Sequence, residues 1–389
     1  MFRQFSFIFL SALFCFADLL YADCNPCHPV SFCSFGGQAI EMEVTYTGGV
    51  FGNLRGGERT GSTYMGLAEL GFTGDSEKLG LWKNGTFFVS GFFSHGPGIR
   101  RYVGDYQDPV YFAYEVPAQL CEYWYMHRFF QDRLSIRAGK ADSSSTFFHL
   151  DSQENFMSSG FTNLNTPHIP ADPENAWGIV SALELRHGAV LKLGIHDEDI
   201  NANRYDSPKF KHPCYAVQLE KEYTLFDSLP GFVFLGGWYD THEVNRYSTG
   251  TERKGNYGFG VGINQMIWRK HSWTHDDAMR GIALFMRFQT SEKDRNELSR
   301  SVDCGLTYRG FSDFRPDDVI GIGCATVCFS PGYREQEQLA HSSETALECF
   351  YRIQVTEHLM LQPDFQYIVH PSGHHRNATL LGLVFQVSF

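Results

Sequence analysis

Residues 381–389 read LGLVFQVSF and decide the fold class of this chain. Leucine, phenylalanine and valine occupy every second position, and glycine, glutamine and serine occupy most positions between them. Side chains of a β-strand point alternately to opposite faces of the sheet. The segment is therefore predicted to be a strand with one apolar, aromatic face and one polar face.

The same alternation recurs upstream, most clearly in residues 40–47, 133–138, 347–355 and 359–367. Period-two alternation over such lengths predicts half-buried strands. Sixteen candidate strands follow from it, at residues 40–51, 63–73, 86–94, 118–128, 133–140, 178–187, 189–196, 214–223, 231–239, 255–267, 280–290, 301–310, 318–329, 345–355, 358–369 and 379–389. The chain is thus predicted to be all-β.

Connection lengths indicate what kind of β-protein this is. Very short connections at 129–132, 188 and 356–357 fall on one side of the predicted sheet, and long ones at 95–117, 141–177 and 330–344 fall on the other. Short periplasmic turns and long outer loops are typical of outer-membrane barrels. Beyond residue 16 there is no apolar run long enough for a transmembrane helix. We therefore predict a transmembrane antiparallel β-barrel of about sixteen strands, with a soluble secreted β-protein as the alternative.

The first residues predict export. A short cationic start precedes an apolar run over residues 5–16, which has the length of a signal-peptide core. We expect a signal peptide at 1–22, a cysteine-rich segment at 23–39 and the barrel at 40–389. Cys24, Cys27 and Cys33 are candidates for disulfides, because exported proteins meet oxidising conditions; a zinc or redox site is the alternative.

The polar face of the predicted strands would line the lumen. Guanidinium, carboxylate and carboxamide groups can hydrogen-bond hydroxylated solutes and keep the lumen wet. Ordinary ion pairs between neighbouring strands are the alternative role for each of them. The candidate pore-lining residues are Glu122, Arg133, Arg137, Glu184, Arg186, Arg287, Arg309, Glu348, Arg352, Gln362, Asp364 and Gln366. Three tryptophans could stack on sugar rings or anchor the barrel at the membrane interface, namely Trp124, Trp177 and Trp238.

Other functions find little support. The net charge of −12 argues against nucleic-acid binding. The chain has no GxSxG, HExxH or phosphate-binding glycine loop, so we expect neither an enzyme nor a cofactor. His370, His374 and His375 lie close together in the sequence and could bind a metal ion, but an exposed turn is the simpler interpretation.

Two C-terminal stretches, ECFYRIQVT at 348–356 and LQPDFQYIVHP at 361–371, resemble the OprB-type carbohydrate-selective porins, as do EYWY at 122–125 and RLSIRAGK at 133–140. The resemblance implies a sixteen-stranded outer-membrane porin that admits sugars through a lumen narrowed by inward loops. Phe389 resembles the terminal aromatic that barrel-assembly machinery reads.

The cysteine content departs from that family. It is more similar to envelopes of the chlamydial kind, in which outer-membrane proteins are linked to one another by disulfides. A family branch there takes up arginine, which keeps arginine uptake as an alternative to sugar diffusion. A structural or adhesive surface barrel with a plugged lumen is the second alternative.

Overall fold

The computed structural model describes residues 39–162, 165–166, 169–171, 175–197, 209–226, 228–270 and 280–389. Sixteen strands follow one another around a closed barrel, each hydrogen-bonded to antiparallel neighbours, and the first strand pairs with the last. This confirms the predicted fold class. The strands are β1 (Ile40–Gly57), β2 (Gly61–Asp75), β3 (Gly85–His95), β4 (Ala118–Phe129), β5 (Leu134–Ala141), β6 (Ala176–Glu184), β7 (Ala189–Asp197), β8 (Pro213–Leu225), β9 (Leu229–Asn245), β10 (Glu252–Arg269), β11 (Gly281–Ser291), β12 (Leu298–Arg309), β13 (Val319–Phe329), β14 (Ser343–Gln354), β15 (Leu359–Val369) and β16 (Arg376–Ser388).

In the described part of the chain, helices are few and short. They are Arg100–Val103, Ser159–Thr162 and Pro331–Gln336, with single 3₁₀ turns at Asp151–Asn155, Arg186–Gly188 and Pro371–Gly373. None of the helices in the described ranges has the length and apolar character needed to cross a membrane. The predicted signal peptide at 1–22 and the disulfide candidates Cys24, Cys27 and Cys33 lie outside the described residues. The described cysteines lie in strands β4, β8 and β12–β14, and those of β12–β14, namely Cys304, Cys324, Cys328 and Cys349, are free thiols.

The barrel closes through the end of the chain. The amide of Phe389 donates to the carbonyl of Val44 at 2.9 Å, and the amide of Val44 donates back at 3.0 Å. The ring of Phe389 stacks on His358 with centroids 5.2 Å apart. Closure matters because an open sheet edge in lipid leaves backbone groups without hydrogen bonds, at several kcal/mol each.

The two faces of the strands differ as the alternation predicts. On β16 the outward side chains of Leu381 and Leu383 are 50% and 53% exposed, whereas inward Val384 is fully covered. On β15, Phe365 is exposed outward and the inward residues are buried. The exposed apolar belt is the surface that a barrel presents to lipid.

Two long loops fold back into the barrel. The β3–β4 loop (residues 96–117) and the β5–β6 loop (residues 142–175, described in part) carry apolar side chains that pack on the inner wall. Their buried apolar members are Ile99, Val103, Val110, Phe112, Phe147, Phe148, Leu150, Phe156, Met157, Phe161 and Ile169. Glycines in the wall leave room for these side chains. A Cβ on Gly260 or Gly236 would lie 2.8 or 2.9 Å from the ring of Phe148.

Neighbouring residues on β2 provide a direct test of which face meets water. Glu69 and Leu70 are both exposed, but Glu69 pairs with buried Thr45 and Phe92 on the inward side, and Leu70 points outward. In a membrane, a charged thiol reagent is expected to modify a Glu69→Cys variant and to leave Leu70→Cys unmodified. Labelling is read by mass spectrometry against the unsubstituted protein, which reports the native cysteines. Equal labelling of both positions would contradict the membrane orientation of the barrel.

Candidate functional site in the barrel lumen

The β5–β6 loop is held to the wall by a buried arginine. Arg287 on β11 is 1% exposed, and its Nε donates to the carboxylate of Asp303 on β12 at 2.9 Å. Its two terminal nitrogens donate to loop carbonyls, at 3.1 Å to Phe148 and at 2.7 Å to Phe161. A buried guanidinium is stable only when its charge and hydrogen bonds are satisfied. Arg287 therefore couples the position of the loop to the wall.

A second anchor lies further round the barrel, on β14 and β15. The carboxylate of Glu348, 1% exposed, accepts from the amides of Met157 at 2.7 Å and Ser158 at 2.9 Å. The side chain of Gln362 donates to the carbonyl of Asn155 at 2.9 Å. The loop therefore leaves the wall at β5 and is fastened again at β11 and at β14–β15, so that it crosses the lumen.

The β3–β4 loop has its own anchor in Glu344 on β14, a fully buried residue. Its carboxylate accepts from the amides of Tyr106 at 2.6 Å and Gln107 at 2.9 Å. Gln366 on β15 donates to the carbonyl of Pro109 at 2.9 Å. The sequence analysis missed Glu344, although it lies four residues before Glu348 and shares its inward face.

Five predicted pore-lining residues point inward as expected but are covered by these loops. They are Arg287, Glu348, Gln362, Asp364 and Gln366, each at most 3% exposed. The expectation that passing solutes touch them is corrected by the structure, because loop backbone occupies the positions that water would otherwise take. Four of them hold the loops, and Asp364 accepts from Gln366 at 2.9 Å.

Three further candidates lie at the end of the barrel that carries the short turns. Arg133 immediately precedes β5, Glu184 ends β6, and both are exposed. The prediction for Arg186 was wrong in position, because β6 ends at Glu184 and Arg186 lies in the turn to β7. The strand stops there because His187 and Gly188 adopt left-handed backbone conformations, with φ of 63° and 71°.

A half-buried group on β4 and β5 faces the open part of the lumen. The carboxylate of Glu122 accepts from the indole of Trp124 at 3.2 Å and from the amide of Asp142 at 3.0 Å. The guanidinium of Arg137 lies 5.5 Å from the Trp124 ring centroid and donates to Thr146 at 2.9 Å. An aromatic face thus sits between an acid and a base on the pore wall.

The three tryptophans singled out in the sequence separate into two groups. Trp238 points inward and is 3% exposed, in the apolar cluster with Phe234 on the same strand. Trp177 packs edge-on against Tyr123, with centroids 5.3 Å apart, on the outward side of β6 and β4. Of the three, only Trp124 combines an inward position with partial exposure, and its ring stacks on Phe88 with centroids 5.0 Å apart.

The water-facing edge of the β5–β6 loop is charged. Nε2 of His149 lies 2.6 Å from a carboxylate oxygen of Glu154 and 3.7 Å from one of Asp151. Arg352 on β14 is close enough to interact electrostatically with Glu154 and with Tyr111 of the β3–β4 loop. The guanidinium of Arg352 also donates to the side chain of Gln386 at 3.3 Å. The candidate Arg309 lies elsewhere, at the end of β12, and donates to the carboxylate of Asp317 at 3.3 Å.

Tyr111 lies between groups of opposite charge. Burial and next the carboxylate of Glu69 raise the pKa of Tyr111 to about 12, and the guanidinium of Arg352 opposes the shift. The phenol therefore stays protonated and remains a hydrogen-bond donor at neutral pH. We call Tyr111, His149, Glu154 and Arg352 the constriction group.

Two buried carboxyl groups make docking of the β3–β4 loop sensitive to pH. Burial raises the pKa of Asp108 to about 6. Burial, reinforced by the nearby carboxylate of Glu344, raises the pKa of Asp105 well above its usual range. A folded-state pKa above the unfolded value means that the docked loop binds the proton more tightly, so docking weakens as pH rises through the folded pKa.

An Asp108→Asn variant is expected to remove part of this dependence. Below pH 4 both proteins should show equal amide hydrogen exchange in residues 96–117, because Asp108 is then protonated. Between pH 4 and pH 6 exchange in the parent should become several-fold faster than in the variant. Comparing the two proteins at each pH cancels the intrinsic pH dependence of exchange. A ratio that stays constant from pH 4 to pH 8 would contradict a role for Asp108.

The histidines considered as metal ligands do not form such a site in the described ranges. No group of three or more histidine, cysteine or acidic residues is arranged there to hold a metal ion. His370 instead stacks on His341, with ring centroids 3.5 Å apart.

A closed sixteen-stranded barrel with an apolar outer belt, and with a polar lumen narrowed by inward loops, defines an outer-membrane porin. The chain belongs to the carbohydrate-selective porin OprB family, whose sequence model matches residues 59–389. It is therefore an outer-membrane protein, and its family is one of channels.

Relatives and solved structures agree with this assignment. Porin B of Pseudomonas aeruginosa is 23% identical over 404 residues, covering 90% of this chain and 88% of that protein. The putative porin QuiX of Acinetobacter baylyi is 26% identical over 232 residues, 52% of each protein. The high-pH structure of Pseudomonas putida OprB has a TM-score of 0.79 at 20% identity, covering 90% of this chain and 94% of that one. The last similarity shows the fold.

Proposed function

We propose that this porin passes small neutral hydroxylated solutes, sugars above all, between the constriction group and the Glu122–Trp124–Arg137 wall. The observation that supports this most is the mixing of charge: His149 pairs with Glu154, and Arg352 lies near the same carboxylate. Acids and bases that neutralise each other leave hydrogen-bonding capacity without a strong net field. Such a passage favours neutral polar solutes over ions of either sign.

Each group has a role that a sugar can use. The guanidinium of Arg352 is a planar fork of donors that can bind two adjacent hydroxyls. The carboxylate of Glu154 accepts hydroxyl protons, and Tyr111 can donate or accept. Half-buried Trp124 can offer the edge of its ring, because Phe88 stacks on it with centroids 5.0 Å apart and the guanidinium of Arg137 lies over it at 5.5 Å. Arginine, the alternative solute, would meet the guanidinium of Arg352 as well as the carboxylate of Glu154, so its charge gains no strong net attraction there.

Conductance in planar bilayers tests the proposal. Glucose is expected to reduce the single-channel current with a saturable dependence on its concentration, because sugar and ions compete for one passage. Free arginine at matched osmolality and ionic strength should not reduce the current in a saturable way. Saturable reduction by arginine and none by glucose would reverse the assignment. Absence of channels in protein verified as folded would favour the plugged surface barrel instead.

We further propose that Phe389 is read by the barrel-assembly machinery. The backbone of Phe389 closes the β1–β16 seam through Val44, and its ring stacks on His358 just before β15. Deleting Phe389 is expected to slow assembly in cells, as measured by the heat-modifiable folded fraction after a pulse of synthesis. A Phe389→Tyr variant, which keeps the aromatic ring, is the control. Equal assembly rates for deletion and parent would contradict this role.

We also propose that residues 1–22 are a signal peptide and that Cys24, Cys27 and Cys33 form disulfides, within the chain or to neighbouring envelope proteins. Support comes from the sequence, in which the three thiols precede the first strand of an exported protein. Non-reducing electrophoresis of envelopes should show adducts that vanish when the three cysteines are replaced by serine. Unchanged adducts in that variant would assign them to other cysteines.

A further inference from the structure

A cluster of aromatic residues stands at the barrel end opposite the short turns, outside the constriction group. Tyr106 comes from the β3–β4 loop, Tyr247 from the β9–β10 loop and Tyr333 from the helix Pro331–Gln336. They surround Glu297 of the β11–β12 loop. We call Tyr106, Tyr247, Tyr333 and Glu297 the tyrosine platform. Four loops converge there, and none of these residues belongs to the loop anchors at Arg287 or Glu348.

The platform is held together by direct contacts. The hydroxyl of Tyr106 donates to the carboxylate of Glu297 at 2.8 Å. The rings of Tyr247 and Tyr333 meet edge to face, with centroids 6.2 Å apart and planes at 70°. The ring of Phe329 packs against the platform, and its centroid lies 5.5 Å from that of Tyr106 and 6.0 Å from that of Tyr333. All three tyrosines are half-buried, so part of each ring remains open to water.

The loops also fix the platform from behind. Asp294 accepts from Arg246 at 2.7 Å and from the amide of Ser248 at 2.8 Å, and its carbonyl accepts from the amide of Tyr247 at 2.8 Å. A Cβ on Gly332 would lie 2.2 Å from Cβ of Tyr247, so only glycine lets that residue sit over the helix. A rigid aromatic surface loses little conformational entropy when it binds a ligand.

The hydroxyls of Tyr247 and Tyr333 are available as hydrogen-bonding groups. Among the described residues neither hydroxyl has a hydrogen-bond partner. Burial, and next the carboxylate of Glu297, raise the pKa of Tyr247 to about 12 and raise the pKa of Tyr333 as well. Both phenols therefore remain protonated donors at any physiological pH.

We propose that the tyrosine platform is an outer binding site for the ring of a neutral sugar, occupied before the solute reaches the constriction group. This inference rests on the proposed sugar pathway. The aromatic faces suit the C–H face of a pyranose, and Glu297 and the two phenols suit its hydroxyls. Near Tyr333, the guanidinium of Arg100 offsets part of the negative charge of Glu297 and Glu337.

Sidedness of sugar binding in planar bilayers tests the inference. In a variant with Tyr247→Leu and Tyr333→Leu, the association rate for glucose added on the extracellular side is expected to fall about threefold to tenfold. The rate for glucose added on the periplasmic side should be unchanged. Current-noise analysis gives both rates. A Tyr102→Leu variant, which alters another tyrosine of the extracellular loops, serves as the matched control.

The outcomes separate this inference from the pathway on which it rests. If glucose does not bind the parent channel from either side, the proposed function fails first. If glucose binds the parent and the double variant keeps its extracellular rate, the platform is structural and the inference is overturned. Slower association of arginine but not of glucose would assign the platform to cations, which also overturns it. A variant with phenylalanine at both positions keeps the rings and should retain most of the extracellular association rate. It shows whether a loss in the leucine variant comes from the missing rings or from misfolding.

Discussion

Replacing Arg287 by methionine is expected to widen the pore. The substitution leaves the carboxylate of Asp303 buried without its partner and frees the loop carbonyls of Phe148 and Phe161. Breaking a buried ion pair in this way costs about 3–5 kcal/mol. Because the barrel itself is held by its strand ladders, the cost falls on docking of the β5–β6 loop. The docked population should therefore drop about 100-fold or more relative to the undocked one.

Single-channel recording measures this directly. The Arg287→Met channel should show larger and more variable conductance, and glucose should no longer reduce the current saturably. Arg128→Met is the matched control, because Arg128 also points inward but donates to Thr86 on the neighbouring strand and not to a loop. If both variants keep the parent conductance, the loop does not depend on its buried anchor.

Replacing Arg352 by glutamate is expected to make the channel strongly cation-selective. The change removes one positive charge and adds one negative charge beside Glu154 and Tyr111. Two charge units at about 6 Å from a passing ion in water change its energy by about 1.4 kcal/mol, downward for a cation and upward for an anion. The cation-to-anion permeability ratio is therefore expected to rise about 100-fold. The effect should shrink at 1 M salt, where the screening length is about 3 Å.

Reversal potentials across a salt gradient report this ratio. Arg133→Glu makes the same charge change at the exposed rim of the barrel and should shift the potential much less. Equal shifts in the two variants would mean that Arg352 has no special place in the pathway. A shift toward anions would contradict the location of the constriction.

The fold followed from the sequence because a barrel repeats one local rule. Alternation such as that of LGLVFQVSF at 381–389 specifies both the strand and its two faces, and closure then follows from the need to satisfy backbone groups in lipid. All sixteen predicted strands needed only shifts of their ends. The β6 strand ended early at Glu184, since two left-handed residues, His187 and Gly188, follow in the turn.

The functional site could be predicted only in part from the sequence, because alternation gives the direction of a side chain but not what covers it. Gln362 and Gln366 were correctly placed on the inward face, yet loop backbone from distant segments buries both. The match between Phe148 and the gaps at Gly236 and Gly260 joins residues about 90 to 110 positions apart, which no local pattern encodes. Glu344 could have been recognised by its parity with Glu348.

Swelling of proteoliposomes tests the central claim, that neutral sugars diffuse through a passage narrowed by two anchored loops. Liposomes containing the purified porin are placed in isotonic solutions of a monosaccharide, a larger oligosaccharide, a neutral amino acid or arginine. The account predicts rapid swelling in the monosaccharide, slow swelling in the oligosaccharide and slow swelling in arginine, with the oligosaccharide accelerated in the Arg287→Met channel. Fast swelling in arginine with none in the monosaccharide would contradict this account. Swelling rates that depend only on solute size, and that are the same in the parent and Arg287→Met channels, would contradict it too.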